Sequence, residues 1–146
     1  MKIIAHRGNL NGSDVENENK PETILRAISL GFDVEIDIRV IDGEIYLGHD
    51  SPQYKIDVRF LKDDRLWIHC KNKEALELML GLSEVHYFWH QTDTYTLTSK
   101  GFVWGYVGAD IINNSICVMP ETEQDLQKCY GICTDYPIYF CLKESE

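Results

Sequence analysis

The stretch that decides the fold is residues 33–38, Asp-Val-Glu-Ile-Asp-Ile, in which acidic and apolar residues alternate. Successive side chains of a β-strand point to opposite faces, so Glu35 and Asp37 are expected on one face and the apolar residues on the other. Two neighbouring carboxylates repel each other unless a cation, a shared proton or an arginine neutralises them. The stretch therefore predicts a strand that carries an acidic pair into a positively charged site.

A second strand is predicted at the start of the chain, from Lys2 to His6, and Arg7 and Gly8 follow it directly. This strand delivers an imidazole and a guanidinium close to the acidic pair if the two strands are neighbours. A histidine, an arginine and two carboxylates at adjacent strand ends suggest chemistry on a phosphate ester, because an anionic ester needs both positive groups and proton carriers.

Two further segments bring polar side chains to strand ends. In a predicted strand from Arg65 to Cys70, Trp67 and His69 share one face, and Lys71 continues that face. An Asp-Gly pair at 42–43 predicts a hairpin, whose second arm leads to His49. Barrel enzymes place their active sites at the C-terminal ends of the strands, where these residues would lie.

Strand-like runs alternate with helical patterns along the chain. Helices are predicted from Pro21 to Leu30, from Lys73 to Leu82 and from Glu123 to Cys129. The alternation predicts an α/β fold, namely a reduced TIM-type (β/α) barrel with about seven to eight mainly parallel strands and few short helices. With 146 residues the chain is short for such a barrel, so we expect one domain, residues 1–146, with several helices missing.

Composition restricts the partners. The formal net charge of −10 argues against nucleic acid and against an anionic membrane surface, both of which attract basic proteins. No apolar run is long enough to span a bilayer, no signal peptide is visible, and the five cysteines form no C-x-x-C pair. We therefore expect a soluble cytoplasmic protein that binds a small molecule, in an oligomeric state that the sequence leaves open.

The spaced motifs together resemble one known family. The chain reads IAHRG at 4–8, ENKPETILRAISLGFDVEIDI at 18–38 and DGEIYLGHD at 42–50, with IHCK at 68–71 and GICTDYP at 131–137. This series resembles the glycerophosphodiester phosphodiesterases, most closely over the first fifty residues. Each motif alone is weak, whereas their order and spacing are specific.

The resemblance implies roles for the proton carriers and the metal ligands. His6 and His49 match the two catalytic histidines of the family, and Glu35 and Asp37 match its metal-binding carboxylates. The family's third metal carboxylate falls at His69, a departure that makes His69 either a ligand or a packed core histidine. The implied cofactor is a divalent ion, Mg²⁺, Ca²⁺ or Mn²⁺, and a histidine ligand shifts the preference toward transition ions.

The resemblance also implies three residues near the substrate. Arg7 and Lys71 match the basic residues that hold the phosphate, and Glu18 matches a glutamate at the start of the first helix. The predicted activity is metal-dependent hydrolysis of a small, glycerol-linked phosphodiester, with a cyclic phosphate as a possible intermediate or final product. Lys71 could instead be a surface residue, and Glu18 could serve only the helix N-terminus.

Other interpretations of the same residues remain open at this point. Glu35 and Asp37 could belong to a solvated edge strand, and His49 could cap its hairpin through Asp50. The protein as a whole could be a phosphate-ester binding module without turnover, or a structural component on the same fold. Retention of His6 and His49 favours the enzyme, whereas loss of the third carboxylate favours the module.

Overall fold

The computed structural model describes residues 1–120 and 126–146, which contain ten β-strands and three α-helices. The strands are β1 (Lys2–His6), β2 (Asp33–Ile41), β3 (Glu44–Leu47), β4 (Tyr54–Ile56), β5 (Leu66–Cys70), β6 (Tyr87–Phe88), β7 (Tyr95–Leu97), β8 (Val103–Gly105), β9 (Ser115–Val118) and β10 (Gly131–Thr134). The helices are α1 (Pro21–Ser29), α2 (Lys73–Leu80) and α3 (Pro137–Glu144). Short 3₁₀ turns cover Val58–Lys62 and Leu126–Lys128.

All ten strands belong to one curled, mixed sheet that forms a half-barrel. Seven strands are parallel in the order β8-β9-β10-β1-β2-β5-β6. The other three are antiparallel: β3 and β4 extend from the far end of β2, and β7 pairs with β8. The long strand β2 is therefore shared by the parallel run and the antiparallel extension.

The prediction of a reduced TIM-type barrel is wrong, because strands and helices do not alternate around this sheet. In such a barrel a helix follows each strand. Here only the connections from β1 to β2 and from β5 to β6 contain an α-helix among the described residues. Residues 89–101 are rich in Thr, Ser and Asp, and within them β7 forms an antiparallel strand instead of a helix. The Asp42-Gly43 turn, in which both residues have positive φ, reverses the chain so that β3 pairs antiparallel with β2.

Two of the predicted helices are confirmed, within two residues at their C-terminal ends. α1 begins at Pro21, and α2 begins after Asn72, whose side chain accepts a hydrogen bond from the Ala75 amide. The helix expected from Glu123 to Cys129 begins outside the described residues, and α3 was not predicted. None of the helices in the described part of the chain is long and apolar enough to cross a bilayer.

The sheet buries apolar side chains on both of its faces. On the outer face, alternate residues of β1, β2 and β5 pack with α1 and α2 in the larger core. The inner face is filled by a smaller core, most of whose members are large. They are Ile4, Trp67, Phe88, Trp104, Ile116 and Cys133. This inner core fills the half-barrel beneath the C-terminal ends of the parallel strands, where the polar side chains lie.

His86 is buried at the edge of the inner core. Its ring packs on Trp67, with ring centroids 4.1 Å apart, and its Nε2 atom lies 2.7 Å from the Thr98 hydroxyl. Burial lowers the pKa of His86 to about 4, and the positive charge of Lys100 adds to this effect. His86 is therefore neutral in the folded protein at neutral pH.

We predict that His86 makes folding sensitive to mild acid. In the unfolded chain the residue gains a proton near pH ~6.5, whereas in the folded chain it gains one near pH 4. Stability is thus lost as the pH falls from about 6.5 toward 4, by about 2 kcal/mol from this group. Urea unfolding at pH ~7 and pH ~4.5 should show a smaller loss for His86→Gln than for the wild type. Equal losses in the two proteins would contradict the prediction.

Candidate active site

The strand register brings the sequence-predicted residues together at one end of the parallel sheet. His6 of β1 pairs with Glu35 of β2, and Asp37 of β2 pairs with His69 of β5. Because neighbouring parallel strands keep equivalent side chains on one face, all four residues project into the same side of the half-barrel. The alternation seen in β2 therefore becomes a cluster in three dimensions.

Glu35, Asp37 and His69 form the centre of this cluster. One potential ligand atom of each lies within 4.8 Å of the others, and His69 Nδ1 is 3.5 Å from both Glu35 Oε1 and Asp37 Oδ1. The two acidic residues are only 2% and 0% exposed. The interpretation of Glu35 and Asp37 as a solvated edge is therefore wrong.

The orientation of His69 is fixed by a backbone carbonyl. His69 Nε2 lies 2.8 Å from the carbonyl oxygen of His90, and the ring stacks on Phe88 at 4.8 Å between centroids. A carbonyl oxygen only accepts hydrogen bonds, so Nε2 carries the proton. Nδ1 then faces the two carboxylates, and a metal ion bound between them would replace any proton on Nδ1 and take its lone pair, as in metal-binding histidines.

The electrostatics of the acidic pair favour a bound cation. Burial opposes the charge of Glu35, but the hydrogen bond and charge of His69, with His6 and Arg7, hold its pKa well below its usual range. Burial, together with the Glu35 charge, raises the pKa of Asp37. Asp37 Oδ1 is moreover buried without a hydrogen-bond partner in the described part of the chain. An unpartnered carboxylate oxygen, a second carboxylate and an imidazole lone pair fit a divalent metal ion.

Arg7 is the fixed positive charge beside this cluster. Its Nε lies 3.2 Å from Asp37 Oδ2, and its Nη1 donates a hydrogen bond of 3.1 Å to Glu18 Oε1. The guanidinium has five N–H groups, so these two contacts orient it and leave others for an anion. Glu18 contacts Arg7 and is not among the residues that line the pocket. The structure thus gives Glu18 a contact that positions Arg7.

Asn19 is a supporting residue to which the sequence assigned no role. Its side chain donates to Asp37 Oδ2 at 2.9 Å and accepts from the Asp37 amide at 3.1 Å, so it holds that residue at two points. Asn19 adopts a left-handed conformation with φ of 61°, which asparagine tolerates better than most residues. In the sequence, only its position beside Glu18 in the ENK motif at 18–20 could have indicated a role for Asn19.

Asp135 is the second missed residue, and it contacts His6. His6 Nδ1 donates to Asp135 Oδ1 at 2.8 Å, and the Asn9 side chain donates to the same oxygen at 2.9 Å. Burial acts to lower the pKa of His6, but the Asp135 hydrogen bond and the Glu35 charge outweigh it and raise the pKa. His6 Nε2 is directed toward Glu35, at 3.9 Å. Asp135 lies in the quoted GICTDYP motif, but its partner is 129 positions away.

His49 and Lys71 complete the site from its rim. His49 Nδ1 lies 2.7 Å from Asp50 Oδ1, which leaves Nε2 for the pocket. Gly48 allows this turn, because a Cβ atom at its φ of 151° would lie 1.9 Å from the Ser51 carbonyl oxygen. The pocket has a volume of about 250 Å³. Seven of the eight predicted site residues line it, namely His6, Arg7, Glu35, Asp37, His49, His69 and Lys71.

We predict that this cluster binds Mn²⁺ more tightly than Mg²⁺, because an imidazole ligand suits transition ions better than hard ions. Calorimetric titration should detect Mn²⁺ binding in the wild type and lose it in Asp37→Asn. Asp42→Asn, which changes an exposed aspartate in the turn after β2, is the matched control and should bind as the wild type does. His69→Glu should improve Mg²⁺ binding relative to Mn²⁺. Mn²⁺ binding that survives Asp37→Asn would place the ion elsewhere.

Comparisons with models of protein families, with curated proteins and with solved structures find no match to the chain. The resemblance of the spaced motifs to the glycerophosphodiester phosphodiesterases stays a prediction from the sequence.

Proposed function

We propose that this protein is a metal-dependent phosphodiesterase that cleaves a small phosphodiester. The single observation that carries the proposal is the convergence of Glu35, Asp37 and His69 in a pocket shared with three other histidines and two basic residues. A phosphodiester is anionic and repels nucleophiles, so its cleavage needs positive charge on the non-bridging oxygens and groups that move protons. The pocket contains side chains for both tasks.

The carboxylates and His69 Nδ1 would hold the divalent ion. When bound, such an ion draws electron density from the phosphoryl oxygens and makes phosphorus easier to attack. Arg7, anchored by Asp37 and Glu18, offers its remaining N–H groups to the same oxygens. Lys71 lines the pocket and adds a compact positive charge.

His6 and His49, two of the four histidines that line the pocket, would move the protons. His6 Nε2 takes a proton from the attacking hydroxyl of water or of the substrate, and Asp135 stabilises the imidazolium that forms. The bond from phosphorus to the leaving oxygen then breaks, and His49 supplies a proton to that oxygen. Attack by a hydroxyl of the substrate gives a cyclic phosphate, which a second attack by water opens.

A second candidate function is a binding module that holds a phosphate ester without turnover. The observation that favours it is His69, which occupies the position at which the resembled family has a third carboxylate. A neutral ligand leaves more net positive charge on a bound ion, which strengthens anion binding. The two candidates differ in turnover, since both require the pocket to bind metal and phosphate.

We predict that the Mn²⁺-loaded protein releases p-nitrophenol from bis(p-nitrophenyl) phosphate or from glyceryl p-nitrophenyl phosphate, whose hydroxyl groups permit internal attack. His6→Ala should lower this rate by about 10²- to 10⁴-fold, the usual effect of losing a general base. His49→Ala should impair cleavage of glycerol-linked alkyl esters more than of p-nitrophenyl esters, because p-nitrophenolate leaves without a proton. Absorbance at neutral pH measures the chromogenic reactions.

His90→Gln would test the specificity of these losses, since it replaces a pocket histidine with no assigned proton transfer and keeps the carbonyl that holds His69. Its turnover should exceed that of His6→Ala. Saturable binding of the esters with no turnover in Mn²⁺ or Mg²⁺ would favour the binding module over the enzyme.

A further inference from the structure

The pocket has two chemically different halves. Its charged residues and three of its four histidines come from β1, β2, β5 and the turns that follow these strands and β3, in one half of the curled sheet. The fourth histidine, His90, and Gln91 follow β6. The opposite half is formed by β8, the residues after it and β9. We call this surface the apolar wall, and it consists of Trp104, Gly105, Tyr106, Val107 and Val118.

The apolar wall is held in place by hydrogen bonds of the backbone and by packed rings. The Tyr106 amide donates to the Thr94 carbonyl at 2.8 Å, and the Tyr95 hydroxyl donates to the Asp110 carbonyl at 2.7 Å. The Tyr106 ring meets His90 edge to face, with centroids 5.7 Å apart. The wall is therefore preorganised, and a ligand that contacts it pays little for ordering it.

The wall is also open to solvent at its rim. Tyr106 is 48% exposed and Val107 45% exposed, although both line the pocket. Exposed apolar groups beside a charged cluster gain free energy when a ligand covers them.

The size of the pocket limits the part of a ligand that it can enclose. Its volume of about 250 Å³ is below the ~300–1,000 Å³ typical of sites for drug-sized molecules. A phosphoryl group at Arg7 and Lys71 leaves room for one small group against the wall. A nucleic acid or a lipid with two long chains is too large to be enclosed there.

We infer that the substrate carries a small flat or apolar ester group, such as an aromatic ring, which packs on Tyr106 and Val107 while its phosphoryl group faces the charged half. This inference rests on the proposed function and specifies its substrate class. A glycerol group, which is rich in hydroxyls, matches the apolar wall poorly. A ring stacked on Tyr106 matches it through aromatic contact and burial of apolar surface.

The inference is tested by comparing two phosphate monoesters of equal charge. Phenyl phosphate and methyl phosphate present the same phosphoryl group and differ in the group that would reach the wall. Calorimetry on the Mn²⁺-loaded wild type should show phenyl phosphate binding about tenfold more tightly, as expected for one stacked ring. Tyr106→Ala should remove most of this ratio, and Val107→Ala part of it.

Two variants control for effects on folding and on the hydroxyl. Tyr106→Phe should keep the wild-type ratio, because the ring is retained. Tyr139→Ala, which removes an equally exposed tyrosine from α3 outside the pocket, should keep it as well. Binding of methyl phosphate should be unchanged in Tyr139→Ala, and in the wall variants it reports whether the charged half of the pocket is intact.

The possible failures are distinguishable. If neither monoester binds to the wild type, the phosphate site itself is wrong, and the proposed function and this inference both fall. If the two monoesters bind equally, the phosphate site stands and the apolar wall has no role in recognition. A tenfold ratio that persists in Tyr106→Ala would likewise overturn the inference while leaving the proposed function in place.

Discussion

The repulsion between the buried carboxylates of Glu35 and Asp37 is the constraint on which the rest of the site depends. Both residues project from β2 into the half-barrel, where burial makes an uncompensated charge costly. Removing one partner of a buried ion pair costs ~3–5 kcal/mol. Loss of a positive partner is therefore expected to destabilise the protein as much as loss of an acid. Arg7 approaches from the end of β1, and His69 approaches from β5 on the other side.

The groups that contact the acidic pair are themselves held by further hydrogen bonds. Asn19 binds Asp37 at two atoms, the His90 carbonyl fixes the His69 tautomer, and Asp135 orients His6. Such supporting contacts keep charged groups directed at one point without reorganisation when a ligand arrives. This second layer distinguishes the site from a chance group of acids on a strand.

The sequence predicted the centre of the site better than the architecture around it. Alternation in residues 33–38 was enough to place Glu35 and Asp37 on one face, because a strand has a fixed period of two. The barrel was predicted wrongly because the alternation of strand-like and helical runs was interpreted as a mainly parallel barrel with some helices missing, whereas the sheet is curled and mixed and includes antiparallel hairpins. The short strands β4 and β7 have only three residues each, which is too few for a periodic signal. His90 acts on His69 through its backbone, a contact that no side-chain pattern encodes.

The order of the strands explains why the pocket has two unlike halves. The polar ends of β1, β2 and β5 are adjacent in the sheet, so they place the charged residues on one side. The inner core includes Phe88 and Trp104, whose ring centroids are 4.5 Å apart. Trp104 also lines the pocket, on the side of β8. Fewer helices surround this sheet than a TIM-type barrel has, and large aromatic side chains fill its interior. Trp104 thus belongs both to the inner core and to the apolar side of the pocket, beside the charges.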